Sequence, residues 1–259
     1  MKFKFIQYQA KERIGSITLD RPEKRNALNA GMIAELKAAF DLAANDNQVK
    51  VIILNASGEV FSAGADLEYL LTLQQNSPEE NLADSHRLKD LFLQIYTCPK
   101  IVIAQVQGHA IAGGCGLVTA CDLVYSAPGA RFGYTECRIG FVPAVVAGFL
   151  LKKTGEGKAR ELLLSGKLIT AEYAKNIGLV NYISGEGKLE DEAEEFALKL
   201  AKETSGASIA YTKDLLATIS GMPLREGLDL AAALNAEART SEDFKKGIRG
   251  FLSKEKVQW

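Results

Sequence analysis

Histidine and tryptophan are nearly absent: two His and one Trp in 259 residues. Neither His86 nor His109 has a second histidine or a cysteine at metal-ligand spacing, so no metal site is expected. The four cysteines, Cys98, Cys115, Cys121 and Cys137, contain no C-x-x-C pair. They sit in apolar or glycine-rich stretches and are expected as reduced, buried thiols. No charge of one sign dominates, with 31 Lys+Arg against 32 Asp+Glu and a net charge of −1. The basic excess of nucleic-acid binders is missing, and no nucleic-acid partner is expected. Long hydrophobic runs are missing too. Ile101 to Val106 and Val142 to Leu151 fall well short of the roughly 20 residues that cross a bilayer. No membrane partner is expected. The opening Met1-Lys2-Phe3-Lys4 alternates apolar and polar residues and reads as a strand, not a signal peptide, which makes a cytoplasmic location the expectation. There is no G-x-S-x-G elbow for a serine hydrolase.

What is present is a globular mixture, 47% hydrophobic and 24% charged. That is enough for one large α/β domain, or a core with a helical appendage. Phe3 to Gln9 and Arg13 to Leu19 alternate as two antiparallel strands with Lys11-Glu12 between them. Met32, Ile33, Leu36, Phe40 and Ala43 fall at helical spacing over 29–44, with Asn29 as N-cap. Buried strands are expected at 51–54, 101–107 and 123–126, and helices at 79–97 and 117–121. The strand–loop–helix order recurs without a strict sequence period, which suggests stacked ββα units. After about Gly187 the strand signal disappears. Helical patterns fill 189–204, 208–220, 224–240 and 244–254. The expected division is therefore a core over 1–187 carrying the site, and a helical region over 188–259.

Two glycine-bearing segments each follow an apolar strand: Phe61-Ser62-Ala63-Gly64-Ala65-Asp66-Leu67, and Gly108-His109-Ala110-Ile111-Ala112-Gly113-Gly114-Cys115-Gly116. Glycine allows tight turns and close backbone approach. A helix starting after such a turn offers free N–H groups and its positive dipole end. Two such N–H groups converging on one oxygen make an oxyanion hole. Ordinary strand-to-helix turns would look the same. Gly113-Gly114-x-Gly116 lacks the G-x-G-x-x-G spacing of a dinucleotide site, so no redox cofactor is expected.

Taken in order, Arg21-Pro22-x-Lys24-Arg25-Asn26-Ala27-Leu28-Asn29, Phe61 to Leu67, Gln107 to Asp122 and Phe132-Gly133-Tyr134-Thr135-Glu136 resemble the crotonase superfamily of enoyl-CoA hydratases and isomerases. The resemblance continues through Ala159 to Gly166 and Ile169 to Val180. It implies an α/β spiral of ββα units with a C-terminal helical region that assembles trimers or hexamers and covers the active site. It also implies an acyl-CoA substrate, with coenzyme A as part of that substrate and no separate cofactor. The matching oxyanion donors are the backbone N–H groups of Ala65 and Gly113. The coenzyme A contacts carried over are Arg25, Ala27, Ala63, Asp66 and Leu67, with Gly114 and Gly116 in the oxyanion loop.

Hydratases of this family usually use two glutamates. One matches Glu136. The other position, three residues after Gly113, is Gly116 here, and glycine has no proton to give or take. A single glutamate leaves open hydration of an enoyl-CoA, proton transfer from C2 to C4 in a 3-enoyl-CoA isomerase, or decarboxylation or dehydration of a branched thioester. A protein that binds acyl-CoA without turnover also stays open. The runs Gly116-Leu117-Val118-x-Ala120-Cys121-Asp122 and Thr135-Glu136-x-Arg138-Ile139-Gly140 look like bacterial methylglutaconyl-CoA hydratases. Such a substrate carries a second carboxylate, for which Arg138 is a candidate partner. His109 and Asp122 are expected to serve structure.

Overall fold

The computed structural model describes residues 2–259. Strands β1 (Ile6–Lys11) and β2 (Ile14–Leu19) form the expected antiparallel pair, with Ile6 opposite Leu19 and Lys11 opposite Ile14. The turn is Glu12-Arg13, one residue later than expected. Both residues have positive φ, 49° and 69°, which matches the twist of a two-residue hairpin. Neither is Gly or Asn, so the sequence carries no marker of the turn.

Helix α1 (Ala30–Asn45) starts where Asn29 Oδ1 accepts the Met32 N–H at 2.8 Å. Then follow β3 (Val51–Ala56), α2 (Leu67–Leu73), α3 (Pro78–Thr97), β4 (Ile101–Val106), β5 (Ala110–Ile111), α4 (Gly113–Ala120), β6 (Leu123–Ser126) and β7 (Arg131–Gly133). Next come α5 (Ala144–Ser165), whose helical backbone is interrupted at Gly155, then β8 (Ile169–Thr170), α6 (Ala171–Asn176) and β9 (Tyr182–Ile183). Four helices finish the chain: α7 (Leu189–Glu203), α8 (Gly206–Ile219), α9 (Leu224–Ala238) and α10 (Glu242–Ser253).

The main sheet has the order β1-β2-β3-β4-β6-β9 and is parallel from β2 onward. A small second sheet, β5-β7-β8, lies at the C-terminal side of β4. Strand alternation sorts the core into two halves. Ile17, Ile52, Leu54, Val102 and Ala104 face α1, α3, α4 and α5. Ile14, Val51, Ile53, Ile101 and Ile103 face α7, through Leu189, Ala193, Ala197 and Ala201. Because both faces are covered, β3 and β4 read in sequence as unbroken apolar runs. No helix among the described residues is long and apolar enough to cross a membrane.

Candidate active site

The site is assembled from three loops at the C-terminal ends of the strands. The segment after β3 pairs with the segment after β4: the Ser62 N–H donates to His109 O at 3.2 Å, and the Ile111 N–H to Ser62 O at 2.9 Å. The segment after β2 pairs with the same loop from the other side. There the Ala63 N–H donates to Arg25 O (3.0 Å), the Leu28 N–H to Gly64 O (2.7 Å) and the Asp66 N–H to Leu28 O (2.8 Å). In this parallel pairing Leu28 engages the neighbours of Ala65, so the Ala65 N–H turns the opposite way. It finds no acceptor among the described residues.

The Gly113 N–H is the first of α4 and has no intrahelical partner. Two glycines bring its loop against that of Ala65. At Gly64 (φ +89°) a Cβ would lie 2.8 Å from Ala112 Cβ, 2.9 Å from Ile111 O and 3.4 Å from Gly113 N. At Gly114 a Cβ would fall 2.6 Å from Ser62 Cβ. The two free N–H groups therefore belong to backbones in direct contact. Ala112, just before α4, has φ 50° and ψ −124°, a strained conformation costing about 1–3 kcal/mol. Its N–H donates to Gly133 O at 2.7 Å and its carbonyl accepts from the Gly116 N–H at 3.0 Å, which ties the strained residue to β7 and to α4.

Immediately after β7, Tyr134 is fully buried and its hydroxyl bonds Thr119 Oγ1 on α4. Glu136 opens the short 3-10 turn Glu136–Ile139 that follows. It is only 9% exposed, and its Oε2 is buried with no hydrogen-bond partner. Burial raises its pKa above the ordinary glutamate value. Cys115 on α4 is close enough to feel that charge. Burial pushes its thiol up to about 12, so it stays protonated and serves as packing.

The other expected residues fall as follows. Arg25 is exposed in the left-handed conformation (φ 51°), and Ala27 is buried beneath it. Ala63 is half-buried, Ala65 is exposed, and Leu67 stands out at 72% exposure. The Asp66 side chain turns into the protein. It caps α2 through the Glu68 and Tyr69 N–H groups and pairs with Arg21 at 2.6 Å. Burial alone would raise its carboxyl; the guanidinium and the backbone donors outweigh that and hold it below the ordinary value. Asp66 thus commits its carboxylate to the fold. The Arg138 side chain is exposed, with its stem along Gly166. The His109 side chain is exposed while its carbonyl joins the loops. Asp122 accepts from the Val102 N–H and from Lys213.

Gly116 is a finding of its own. A Cβ there would meet Val146 Cγ1 at 2.5 Å and Phe92 Cε2 at 2.7 Å. The place of a second carboxylate is filled by apolar side chains from α5 and α3. One cysteine departs from expectation: Cys137 is exposed on the Glu136 turn, whereas Cys98, Cys115 and Cys121 are buried. Its neighbours Glu136 and Arg138 are charged, so the expectation of an apolar setting does not hold at this cysteine.

Sequence reasoning missed Asn26, fully buried with φ 51°. Its amide donates to Ser57 O and Val60 O, and its Oδ1 accepts the Arg21 N–H. It fixes the loop carrying Arg25 and Ala27. The only signal was an Asn in a charged loop, a residue type that tolerates this conformation.

The sequence profile of the enoyl-CoA hydratase/isomerase family matches residues 9–259. A provisionally named enoyl-CoA hydratase of Thermus thermophilus is 43% identical over 244 residues, covering 94% of this chain and 96% of that protein. The 2,3-dehydroadipyl-CoA hydratase of Escherichia coli is 31% identical over 244 residues, covering 94% and 93%. The crystal structure of an enoyl-CoA hydratase from Mycobacterium smegmatis superposes with a TM-score of 0.91 at 31% identity, covering 99% of each chain. With the fold, the two donor loops and the sequence in agreement over nearly its whole length, the chain belongs to the enoyl-CoA hydratase/isomerase family, the crotonase superfamily.

Proposed function

We propose that the protein is a hydro-lyase that adds water to, or removes it from, the C2–C3 double bond of an enoyl-CoA thioester. The observation that carries this reading is Glu136, a buried carboxylate without a partner, set on the turn whose preceding strand anchors the start of α4. The Ala65 and Gly113 N–H groups take the thioester oxygen and stabilise the enolate; losing one such donor typically costs about 10²–10³ in rate. Glu136, its proton affinity raised by burial, takes a proton from the water as the water oxygen bonds to C3, and the electron pair of the double bond moves into the thioester to give the enolate. Glu136 then gives that proton to C2 as the enolate collapses. One water is consumed and Glu136 ends as it began.

Arg25 is the cationic contact for the coenzyme A phosphates, with Ala27, Ala63, Asp66 and Leu67 contributing backbone and apolar surface around the nucleotide. Coenzyme A enters as part of the substrate and no separate cofactor takes part. The acyl group is branched or carries a second carboxylate, as in 3-methylglutaconyl-CoA. The name of the Escherichia coli relative, with its dicarboxylic acyl group, supports this choice. The core over 1–187 holds the chemistry, and the helical region over 188–259 joins copies into trimers or hexamers and covers the site. Exposed Leu224, Leu228, Phe251 and Leu252 on α9 and α10 support that assignment. A cytoplasmic enzyme is the matching setting.

The apolar filling at Gly116 favours a second reading, a Δ3,Δ2-enoyl-CoA isomerase in which Glu136 alone carries the proton from C2 to C4. Turnover of 3-methylglutaconyl-CoA, crotonyl-CoA and a 3-enoyl-CoA by wild type and Glu136→Gln separates the two. Hydration that falls at least about 10²-fold in the variant supports the hydro-lyase. A 2-enoyl product from the 3-enoyl substrate, with no hydroxyacyl product from any, replaces it with the isomerase. Equal rates in both proteins remove Glu136 from the chemistry.

A further inference from the structure

Helix α4 is fixed at its N-terminus by Gly114 on Ser62 and by Ala112 on β7. Its other end meets a cation. Lys153, partly buried on α5, donates from Nζ to Cys121 O at 2.6 Å and reaches Thr119 O at 3.4 Å. The Cys121 N–H and thiol engage Val118 O and Leu117 O. The carbonyl end of α4 is therefore closed by one residue of its own cap and by Lys153. The other charges nearby are Asp122 and Lys213, which pair with each other, so one carboxylate faces two ammonium groups and the cluster keeps a net positive charge. A cation at a helix C-terminus stabilises the helix against its negative pole. This helix has Gly113 at its positive end.

We infer that Lys153 is a positioning residue for the reaction: its ammonium, at the carbonyl end of α4, strengthens the oxyanion site at the Gly113 end by adding positive potential along the helix. The inference rests on the enolate-stabilising role proposed for the Gly113 N–H. Eight residues at about 1.5 Å each place the charge about 12 Å from the oxyanion. At an effective dielectric near 20, a unit charge at about that distance is worth roughly a factor of ten in rate. Burial lowers the Lys153 pKa from its ordinary value, the sign expected of an ammonium held by carbonyl oxygens without a carboxylate of its own.

The test uses Lys153→Gln, which keeps an N–H donor for the carbonyls but has no charge, and Lys153→Arg, which keeps both. The probe is a cinnamoyl-CoA thioester, whose absorption moves to the red as its carbonyl is polarised. Wild type and Lys153→Arg are expected to show the red shift. Lys153→Gln is expected to lose most of it, with kcat lower by about tenfold and KM within about twofold of wild type. Free coenzyme A binding equal in all three proteins establishes that the variants are folded. A folded Lys153→Gln with the wild-type red shift and kcat overturns the role of Lys153 while leaving the oxyanion site standing. A wild type that binds the probe without any red shift overturns the oxyanion site and this inference with it. Should Lys153→Gln not fold, Lys153→Met at low temperature carries the same comparison, and a wild-type red shift in it has the same overturning force.

Discussion

Glu136 carries a cost at the scale of a single residue. Its folded-state pKa is raised by burial, and the same group in the unfolded chain ionises near the ordinary value of about 4.3. Between those two values the folded protein binds more protons than the unfolded one. Folding stability therefore falls as pH rises through that window and stays low above it. Glutamine does not titrate. The melting temperature of Glu136→Gln relative to wild type is expected to climb from acid pH up to the raised pKa and then level off. A gap that stays flat, or narrows, as pH rises would show that the carboxylate is not desolvated in the folded state. Glu136 was legible in the sequence because it follows Phe132-Gly133-Tyr134-Thr135 in a recognisable segment. Its missing partner was not, because an unpartnered buried oxygen depends on what every neighbouring element leaves unfilled.

At the scale of the element, α4 gathers the constraints. Its eight residues carry the first free N–H at Gly113, the close approach to Ser62 at Gly114, and the contact with Phe92 and Val146 at Gly116. The sequence placed a helix only over 117–121, because three glycines within its first turn lower helix propensity. Tertiary contact overrides that preference: a Cβ would lie 3.3 Å from Leu28 Cδ1 at Gly113, 2.6 Å from Ser62 Cβ at Gly114 and 2.5 Å from Val146 Cγ1 at Gly116. Gly116→Ala forces Phe92 or Val146 to move, an overpacking that costs about 1–3 kcal/mol. For a protein of this size that lowers Tm by at least about 2–4 °C, read by thermal melting. An unchanged Tm would mean the α3–α5 packing over Gly116 is loose enough to admit a side chain. The same crowding leaves no room for a carboxylate side chain at this position unless Phe92 or Val146 moves.

At the scale of the whole molecule, the four C-terminal helices divide in behaviour. Helix α7 lays Ala193, Ala197 and Ala201 on the main sheet and closes its second face. Helices α9 and α10 bury only Gly227 and Gly250, and leave Leu224 at 79% and Phe251 at 82% exposure. Apolar side chains exposed on that scale mark a surface that meets another molecule, and closed symmetric assembly is the common way to cover it. Sedimentation equilibrium is expected to give a trimer or a multiple of it. A protein that stays monomeric up to high concentration would remove these helices from the assembly.

The sequence alone determined β1 to β4 and β6, because period-2 alternation and unbroken apolar runs are local consequences of one or two covered faces; β5, β7, β8 and β9, two or three residues each, are too short to carry either pattern. It determined α1 through Asn29 and a 3.6-residue stripe, and it determined the family through motifs that persist in order along the chain. The tertiary structure decided what those local patterns could not hold. It set which N–H groups are left free at Ala65 and Gly113, since freedom is the absence of a partner from distant segments. It turned Asp66 inward onto Arg21, 45 residues away in sequence. It filled the space at Gly116 with Phe92 and Val146, and it brought Lys153 to the far end of α4. Each of these is a contact between residues remote in the chain, and close packing in three dimensions, not the spacing of residues along one, fixes them.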